Sequence, residues 1–258
     1  MGGQVRVLGS LHVALGSRVV KITSPRERVL FAGLAIRAGE TTSHDQLCRA
    51  LWGEDWSAKR DSAYRPTVSR LRKTLGEDGL IVRESFGYRL AMNADEVDVL
   101  AFEALTGASG TPKSPGGWQR TLELSTRALA LWRGAPFADI PSDHLRHEHR
   151  HRLEARYSLA RTKRAEAVIR VSAPRAAAEV LHDLESLIRE NPGDEHLRRL
   201  LMLGLYRSGR KAEALTAFRD TWRYCDRKLG VRPGQDLQNL NKLMIGADPD
   251  LLRTPLSD

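Results

Sequence analysis

Residues 62–90 read SAYRPTVSRLRKTLGEDGLIVRESFGYRL, and the architecture of the amino-terminal region is inferred outward from them. Apolar side chains at positions 64, 68, 71 and 75 recur at helical spacing, so they share one face that points to a core. The spacing predicts a helix from about residue 63 to Leu75, stopped by Gly76. The following LIVRESFGYRLAM predicts two short strands around a turn that contains Gly87.

The sequence before this stretch predicts strands and then two helices. Residues 4–22 alternate apolar and polar positions between glycines, which is typical of short antiparallel strands. RERVLFAGLAIRAG follows Pro25 and predicts a first helix that ends at Gly39. HDQLCRALWG follows Ser43, a capping residue, and predicts a second helix. Strands, three helices and a hairpin are the order of a winged helix-turn-helix.

From Asp95 onward the apolar period is helical, so we place the domain boundary between 1–94 and 95–258. The Gly- and Pro-rich residues 106–118 are interpreted as an internal loop, with an interdomain linker as the alternative. LELSTRALALWRGAP and LMLGLYRSGRKAEALTAFRDTW are typical of tetratricopeptide-like repeats, which form a protein-binding surface or a rigid dimer-forming scaffold. The predicted helical blocks are 118–133, 142–171, 174–190, 194–208, 210–229 and 234–245. The predicted fold class is mainly α with a small β component: a winged helix-turn-helix domain, then an all-α tetratricopeptide-like repeat domain.

The net positive charge of the chain favours negatively charged binding partners. The 258 residues carry a formal charge of +9, which attracts nucleic acid first and anionic membrane surfaces second. No segment has the roughly 20 apolar residues that span a bilayer, and the amino terminus lacks the pattern of a signal peptide. The two cysteines, Cys48 and Cys225, are too few for a disulfide framework and form no zinc-binding pair. We expect a cytoplasmic, nucleoid-associated protein that does not bind membranes.

The polar face of the third helix is the candidate DNA-binding surface, with an ordinary solvated basic face as the alternative. An Arg in the major groove donates two hydrogen bonds to guanine, whereas Ser and Thr bond to base edges or phosphates. We expect Arg70 to read a base. Lys59, Arg72 and Lys73 should contact phosphates, which fixes the register of the helix without reading sequence. The hairpin should meet the minor groove or the backbone. The predicted DNA-contacting residues are Lys59, Arg65, Thr67, Ser69, Arg70, Arg72, Lys73, Arg83, Ser85 and Arg89.

The chain resembles the Streptomyces antibiotic regulatory protein (SARP) family along nearly its whole length. The matching text is LGSLHVALGSRVV, LCRALWGED, TVSRLRKTLG and FGYRL in the first domain, and FEAL, ALALWRGAPFADI, RLEARY and LMLGLYRSGRKAEALTAFRDTWRYCDRKLGVRPGQDLQNL in the second. The resemblance implies an OmpR-type winged helix joined to a bacterial transcriptional activation domain. It also implies an activator that binds direct repeats upstream of a promoter, as a dimer or as side-by-side protomers, and recruits RNA polymerase through its sigma and other subunits. Antibiotic biosynthesis genes are the implied target.

Two departures from the family pattern affect these expectations. Pro66 stands in the third helix where relatives carry an ordinary helix former, so we expect an irregular first turn there. This puts a base contact by Arg65 in doubt more than one by Arg70. Longer relatives append an ATPase or phosphopeptide-binding domain, whereas this sequence contains no GxxxxGK[ST] motif. We therefore expect no ATP dependence and no cofactor.

Two further segments of the sequence have more than one interpretation. His147, Glu148 and His151 spell HExxH, which on a helix can bind zinc, but the surrounding arginines disfavour a dication. We therefore expect a solvated helix, no metal site and no enzymatic activity. The loop residues Glu54, Asp55 and Trp56 occupy the region that OmpR-type activators use to contact polymerase, with simple packing as the alternative. The rival to the activator hypothesis is a helical-repeat adaptor whose basic head binds DNA without sequence preference.

Overall fold

The computed structural model describes residues 3–55, 64–77, 79–108, 112 and 114–253. The chain divides into two compact units, one formed by residues 1–107 and 127–156 and the other by 108–126 and 157–258. These units differ from the predicted domains, because the first unit also takes in segments that follow residue 94. The division into domains at residue 94 stays a prediction.

The first unit begins with a three-stranded antiparallel sheet. Its strands are β1 (Gly3–Arg6), β2 (His12–Leu15) and β3 (Arg18–Val20), in that order, with Val5 opposite Val13. Val5 and Val13 are both buried, as the alternation of apolar residues predicts. The strands expected within residues 4–22 are therefore confirmed.

Three helices follow, as predicted: α1 (Pro25–Ala35), α2 (His44–Trp52) and α3 (Tyr64–Leu75). Helix α1 ends at Ala35, so the prediction that Gly39 caps it is wrong. Gly39 instead lies in the following turn with a φ of +84°, and its N–H donates to Leu90 O at 2.9 Å. Helix α2 begins as predicted, because the side chain of Ser43 accepts from the backbone of Gln46 and completes a capping box.

A second antiparallel sheet holds the hairpin against the helices. Its strands are β4 (Thr41–Ser43), β5 (Ile81–Glu84) and β6 (Gly87–Leu90), with β6 in the centre. The sequence did not predict β4, which is too short to show a period. A Cβ at Gly87 would lie 2.0 Å from Thr42 O, so only glycine allows β4 and β6 to pair here.

A buried carboxylate explains why later segments belong to the first unit. Asp98 is the first residue of α4 (Asp98–Gly107), and it accepts hydrogen bonds from the N–H groups of Val7 at 2.8 Å and Leu8 at 3.0 Å. Its Oδ2 also accepts from Arg133 Nη2 at 3.2 Å. Burial raises the pKa of Asp98, while these hydrogen bonds act in the opposite direction. The carboxylate thus ties the segment that follows β1 to the start of a helix 90 and 91 positions later in the chain.

The second unit is built from helices. The helices beyond α4 are α5 (Pro115–Ala130), α6 (Asp143–Val171), α7 (Leu181–Glu190), α8 (Glu195–Arg207), α9 (Lys211–Tyr224) and α10 (Gln235–Ile245). Helix α8 is central, since α7, α9 and α10 all contact it. Its Gly204 allows a close crossing, because a Cβ there would lie 2.9 Å from the side chain of Leu181. Ile169, Leu184 and Leu200 are at most 1% exposed in this core. The predicted winged helix followed by a helical repeat domain is confirmed as the fold class.

Candidate nucleic-acid interface

Helix α3 separates its buried and exposed faces as the sequence predicts. Tyr64, Val68, Leu71 and Leu75 are all buried, each at most 3% exposed. The exposed face, which we call the reading face, consists of Arg65, Ser69, Arg70 and Lys73. Helix α3 contains no acidic residue, so nothing within the helix itself neutralises these three cations. Pro66 lies in the first turn of the helix, where backbone N–H groups have no intrahelical acceptor, so the lack of an N–H in proline costs no hydrogen bond. The helix runs without a break from Tyr64 to Leu75.

The side chain of Arg70 is exposed, but two interactions with the protein restrain it. Its side chain is 59% exposed, and its Nε lies 3.9 Å from Oε1 of Glu27 on α1. Its Nη2 donates to Thr67 Oγ1 at 3.3 Å. The side chain thus projects from the reading face while one edge of its guanidinium is directed at the protein.

Thr67 does not belong to the reading face. It is 1% exposed, so it cannot offer its hydroxyl to a base edge, and the prediction that Thr67 contacts DNA is corrected. The reason is angular, since Thr67 lies beside the apolar stripe that runs from Tyr64 to Val68 and packs inward with it. Its hydroxyl instead accepts the hydrogen bond from Arg70.

Arg72 connects α3 to the hairpin. Its Nε and Nη2 both donate to Ile81 O, at 3.1 and 2.6 Å, and its guanidinium lies 5.5 Å from the ring centroid of Tyr88. Two bonds to one carbonyl and a cation–π contact fix the angle between the helix and the hairpin. The sequence did not predict this structural role, and the contact of Arg72 with phosphate stays a prediction.

The hairpin β5–β6, which we call the wing, presents both charged and apolar groups. Arg83 and Ser85 are exposed as predicted, whereas Arg89 is half-buried and forms an ion pair with Glu84 at 3.0 Å. Phe86 at the tip is 67% exposed. Its carbonyl accepts from the N–H of His44 at 3.0 Å, which anchors the wing tip to the start of α2. Sequence reasoning missed Phe86, although an aromatic residue in a two-residue turn was a usable signal.

An aromatic cluster supports the groove between α2, α3 and the wing. The rings of His44 and Tyr64 meet edge to face at 4.5 Å, and those of Tyr64 and Tyr88 at 5.8 Å. Burial raises the pKa of Tyr64 far above its usual range, so this hydroxyl stays protonated. The groove above the cluster measures about 430 Å³ and is lined by Arg65, Arg83 and Phe86 among others. The cluster therefore sets the spacing between the reading face and the wing.

The remaining predicted contacts concern the segment between α2 and α3. Lys59 and Trp56 lie outside the described residues. Glu54 is exposed in a 3-10 turn, Gly53–Asp55, that ends with Asp55. The assignment of this segment to a polymerase contact stays a prediction.

The HExxH segment on α6 is occupied by other interactions. Glu148 faces His144 at 3.2 Å and His149 at 3.7 Å, whereas His147 and His151 are exposed. Burial lowers the pKa of His149, so it carries little charge at neutral pH. Across the described ranges, no three His, Cys, Asp or Glu side chains are grouped so that they could hold a metal ion. That the motif lies on a solvated helix without a metal stays a prediction.

The arginines of the same segment are paired with acidic neighbours. Arg146 lies 2.5 Å from Asp143, and Arg150 lies 2.7 Å from Glu154, both within α6. Arg152 pairs with Glu103 of α4. This part of α6 is as rich in arginine as α3, but its charge is locally compensated.

In the described part of the chain, every helix is too short or too polar to cross a bilayer.

Two protein-family models match the chain. The model of the transcriptional regulatory protein, C terminal, matches residues 19–90, which contain the reading face and the wing. The model of the bacterial transcriptional activator domain matches residues 97–244. The two matches follow one another in the order that the sequence predicts.

Several known regulatory proteins are similar to this chain in sequence. The regulatory protein AfsR of Streptomyces griseus is 34% identical over 247 residues, which cover 96% of this chain and 25% of AfsR. The transcriptional regulator RedD of Streptomyces coelicolor is 29% identical over 262 residues, which cover 98% of this chain and 73% of RedD. The chain thus spans about a quarter of the length of AfsR.

A solved structure shares the fold. It is that of EmbR from Mycobacterium tuberculosis in complex with a low affinity phosphopeptide, with a TM-score of 0.78 and 28% identity. The match covers 96% of this chain and 66% of that one.

Proposed function

Since the chain belongs to the Streptomyces antibiotic regulatory protein family, we propose that it is a transcription regulator that activates transcription by binding specific promoter DNA through α3 and the wing. The observation that carries the proposal is the reading face itself. Three exposed cations project from a helix without any acidic residue, beside a wing that also exposes Arg83. A polyanion neutralises such a surface, and a helix of this size fits the major groove.

The proposed contacts divide into those that read sequence and those that position the protein. Arg70 offers its outer guanidinium edge to the O6 and N7 atoms of a guanine. Lys73 neutralises a phosphate and does not discriminate between bases. Arg83 and the ring of Phe86 meet the adjacent minor groove, where an apolar side chain packs against deoxyribose or between base steps. Arg65 and Ser69 lie on the same face and complete the contact.

The proposed mechanism is recruitment without chemistry. Side-by-side protomers occupy direct repeats whose centres are separated by about 10 to 11 base pairs or a multiple, so that all face the same way. Their exposed surfaces then hold RNA polymerase, including its sigma factor, at the promoter. Glu54, Asp55 and Trp56 are the proposed contact, and the proposed target genes direct the synthesis of a secondary metabolite. The protein acts in the cytoplasm, on the nucleoid.

Footprinting with genome-wide mapping of bound DNA tests this proposal. We expect protection of direct repeats upstream of promoters, and stimulation of transcription when the purified protein is added to RNA polymerase and such a promoter. Affinity should fall steeply with salt, with a log–log slope of about −0.9 for each neutralised phosphate. Binding that shows no sequence preference would contradict the proposal and favour the adaptor hypothesis.

A further inference from the structure

A buried carboxylate on α1 is directed at the recognition helix. Glu27 lies in the first turn of α1, and its side chain is 8% exposed, which is unusual for a glutamate. A buried carboxylate is tolerated only where hydrogen bonds or an opposite charge compensate its lost hydration. Both partners found here, Thr74 and Arg70, belong to α3. The carboxylate of Glu27 therefore links α1 to α3.

The two oxygens of Glu27 have separate partners. Oε2 accepts a hydrogen bond from Thr74 Oγ1 at 2.9 Å, close to the centre of the usual range. Oε1 lies 3.9 Å from Arg70 Nε, which is an ion-pair distance rather than a hydrogen bond. The Thr74 bond holds the carboxylate in place, so its charge is directed at Arg70. Glu27 therefore acts on Arg70 by electrostatic attraction and not through a hydrogen bond.

The guanidinium of Arg70 is oriented by this arrangement. Its Nε faces Glu27 and its Nη2 donates to Thr67, so the edge formed by these two nitrogens is turned toward the protein. A guanidinium carries five N–H donors in one plane, and the edge formed by Nη1 and the outer N–H of Nη2 points away from Nε. That outer edge is the one able to form two parallel bonds to a guanine.

We propose that Glu27 is a positioning residue that orients Arg70 for base recognition before DNA is bound. A free arginine side chain loses much rotational freedom when it is immobilised at an interface, and this loss weakens binding. Glu27 and Thr67 restrict the side chain during folding instead, so less freedom is lost on the DNA. The inference rests on the proposed function, in which Arg70 reads a base. It adds a specificity-determining residue that does not touch DNA.

The test compares Glu27→Gln with the matched control Glu40→Gln. Both variants remove one negative charge from the same unit, but Glu40 is exposed in the loop after α1. The amide oxygen of the introduced glutamine can still accept the bond from Thr74, so Glu27→Gln removes the charge and spares the packing. Affinity is measured by fluorescence anisotropy on three DNAs. They are the operator, random DNA and an operator with one base pair changed. The changed base pair is the one for which the Arg70→Ala variant no longer shows a preference.

Glu27→Gln should lower discrimination at that base pair by about 3- to 10-fold, part of what a complete arginine–guanine contact provides. Binding to random DNA should not weaken, and Glu40→Gln should keep full discrimination. In an Arg70→Ala background, Glu27→Gln should change discrimination no further, because the two residues act through one contact. Additive losses, or an equal loss of affinity on all three DNAs, would overturn the positioning role.

A second measurement does not depend on DNA. In the free protein, the Nε–H group of Arg70 should give an ordered signal in a ¹⁵N heteronuclear NOE experiment, assigned by its absence from Arg70→Ala. The signal should become mobile in Glu27→Gln and stay ordered in Glu40→Gln. If the wild-type protein shows no sequence preference, the proposed function fails, yet this signal still decides whether Glu27 orients Arg70. Equal mobility in wild type and Glu27→Gln would refute the inference.

Thermal unfolding followed by circular dichroism checks that the variants are folded. If Glu27→Gln does not fold, Glu27→Asp replaces it. This variant keeps the buried charge but shortens the side chain by one methylene, which moves the carboxylate away from Arg70. It should lower discrimination and release the Nε–H signal in the same way, and unchanged discrimination with an ordered signal would count against the proposal.

Discussion

Helix α3 and the first half of α6 are both rich in arginine, but they use it differently. In α6, Arg146 and Arg150 are neutralised by acidic residues three or four positions away on the same helix. Helix α3 has no acidic residue, and the carboxylate that forms an ion pair with Arg70 belongs to a buried residue of α1. Positive charge in a sequence therefore does not by itself indicate an available DNA-binding surface; the partners of each cation determine whether it is free to bind.

The largest expected effect is a difference in DNA affinity between replacing an arginine of α3 and replacing one of α6. Arg70→Ala should lower the affinity for the operator by about 1 to 3 kcal/mol and relax preference at one base pair. Arg150→Ala should change affinity by less than about 0.5 kcal/mol, because it removes only half of an exposed ion pair. Anisotropy titrations on operator and random DNA measure both. Equal losses on the two DNAs for Arg70→Ala would refute its base-reading role.

The next effect distinguishes cations within α3. Arg72→Ala should lower the free energy of unfolding by about 1 to 3 kcal/mol, since it removes charged hydrogen bonds to Ile81 O that tie the helix to the wing. Urea denaturation measures this change, with the exposed Arg83→Ala as the control that keeps full stability. An unchanged midpoint together with weaker binding to all DNA would instead assign Arg72 to a phosphate.

A smaller effect concerns Lys73. Lys73→Ala should weaken binding to operator and random DNA alike and make the salt slope about 0.9 less negative, because one phosphate contact is lost. Titrations at several salt concentrations give the slope, and Lys228→Ala in the second unit is the charge-matched control. A change in base preference would show that Lys73 reads sequence.

The smallest expected effect tests whether ion pairing is what keeps the arginines of α6 from binding DNA. Glu154→Gln releases Arg150 from its ion pair, so binding to random DNA at low salt should strengthen by a few tenths of a kcal/mol. Glu179→Gln, which removes an exposed charge from the second unit, is the comparison. If the two variants behave identically, the position of α6, and not the pairing of its arginines, explains the difference between the two helices.

Much of the first unit was predictable because its signals are local. The apolar spacing in α3, the Ser43 cap of α2 and the alternation in β1 and β2 depend on neighbouring residues, and the structure confirms each of them. Local signals failed where a distant partner decided the outcome. Gly39 lies beyond the end of α1, in a turn where its N–H donates to Leu90 O, and β4 exists only by pairing with β6.

The candidate site shows the same limit. The sequence placed Arg65, Ser69, Arg70 and Lys73 on one face, since angular position follows directly from the helical repeat. It also included Thr67, which packing buries, and Arg72, which the wing engages, and it missed the exposed Phe86.

By itself, then, the amino-acid sequence determined the order of elements, the apolar and polar faces of the helices, the excess of positive charge and the family resemblance. Only the tertiary structure decided which cations remain available and what orients them. Glu27 and Thr74 are 47 residues apart, and Asp98 accepts hydrogen bonds from Val7 and Leu8, which lie 91 and 90 positions before it. Local periodicity carries no information on such pairs, because they form only when separate elements pack together.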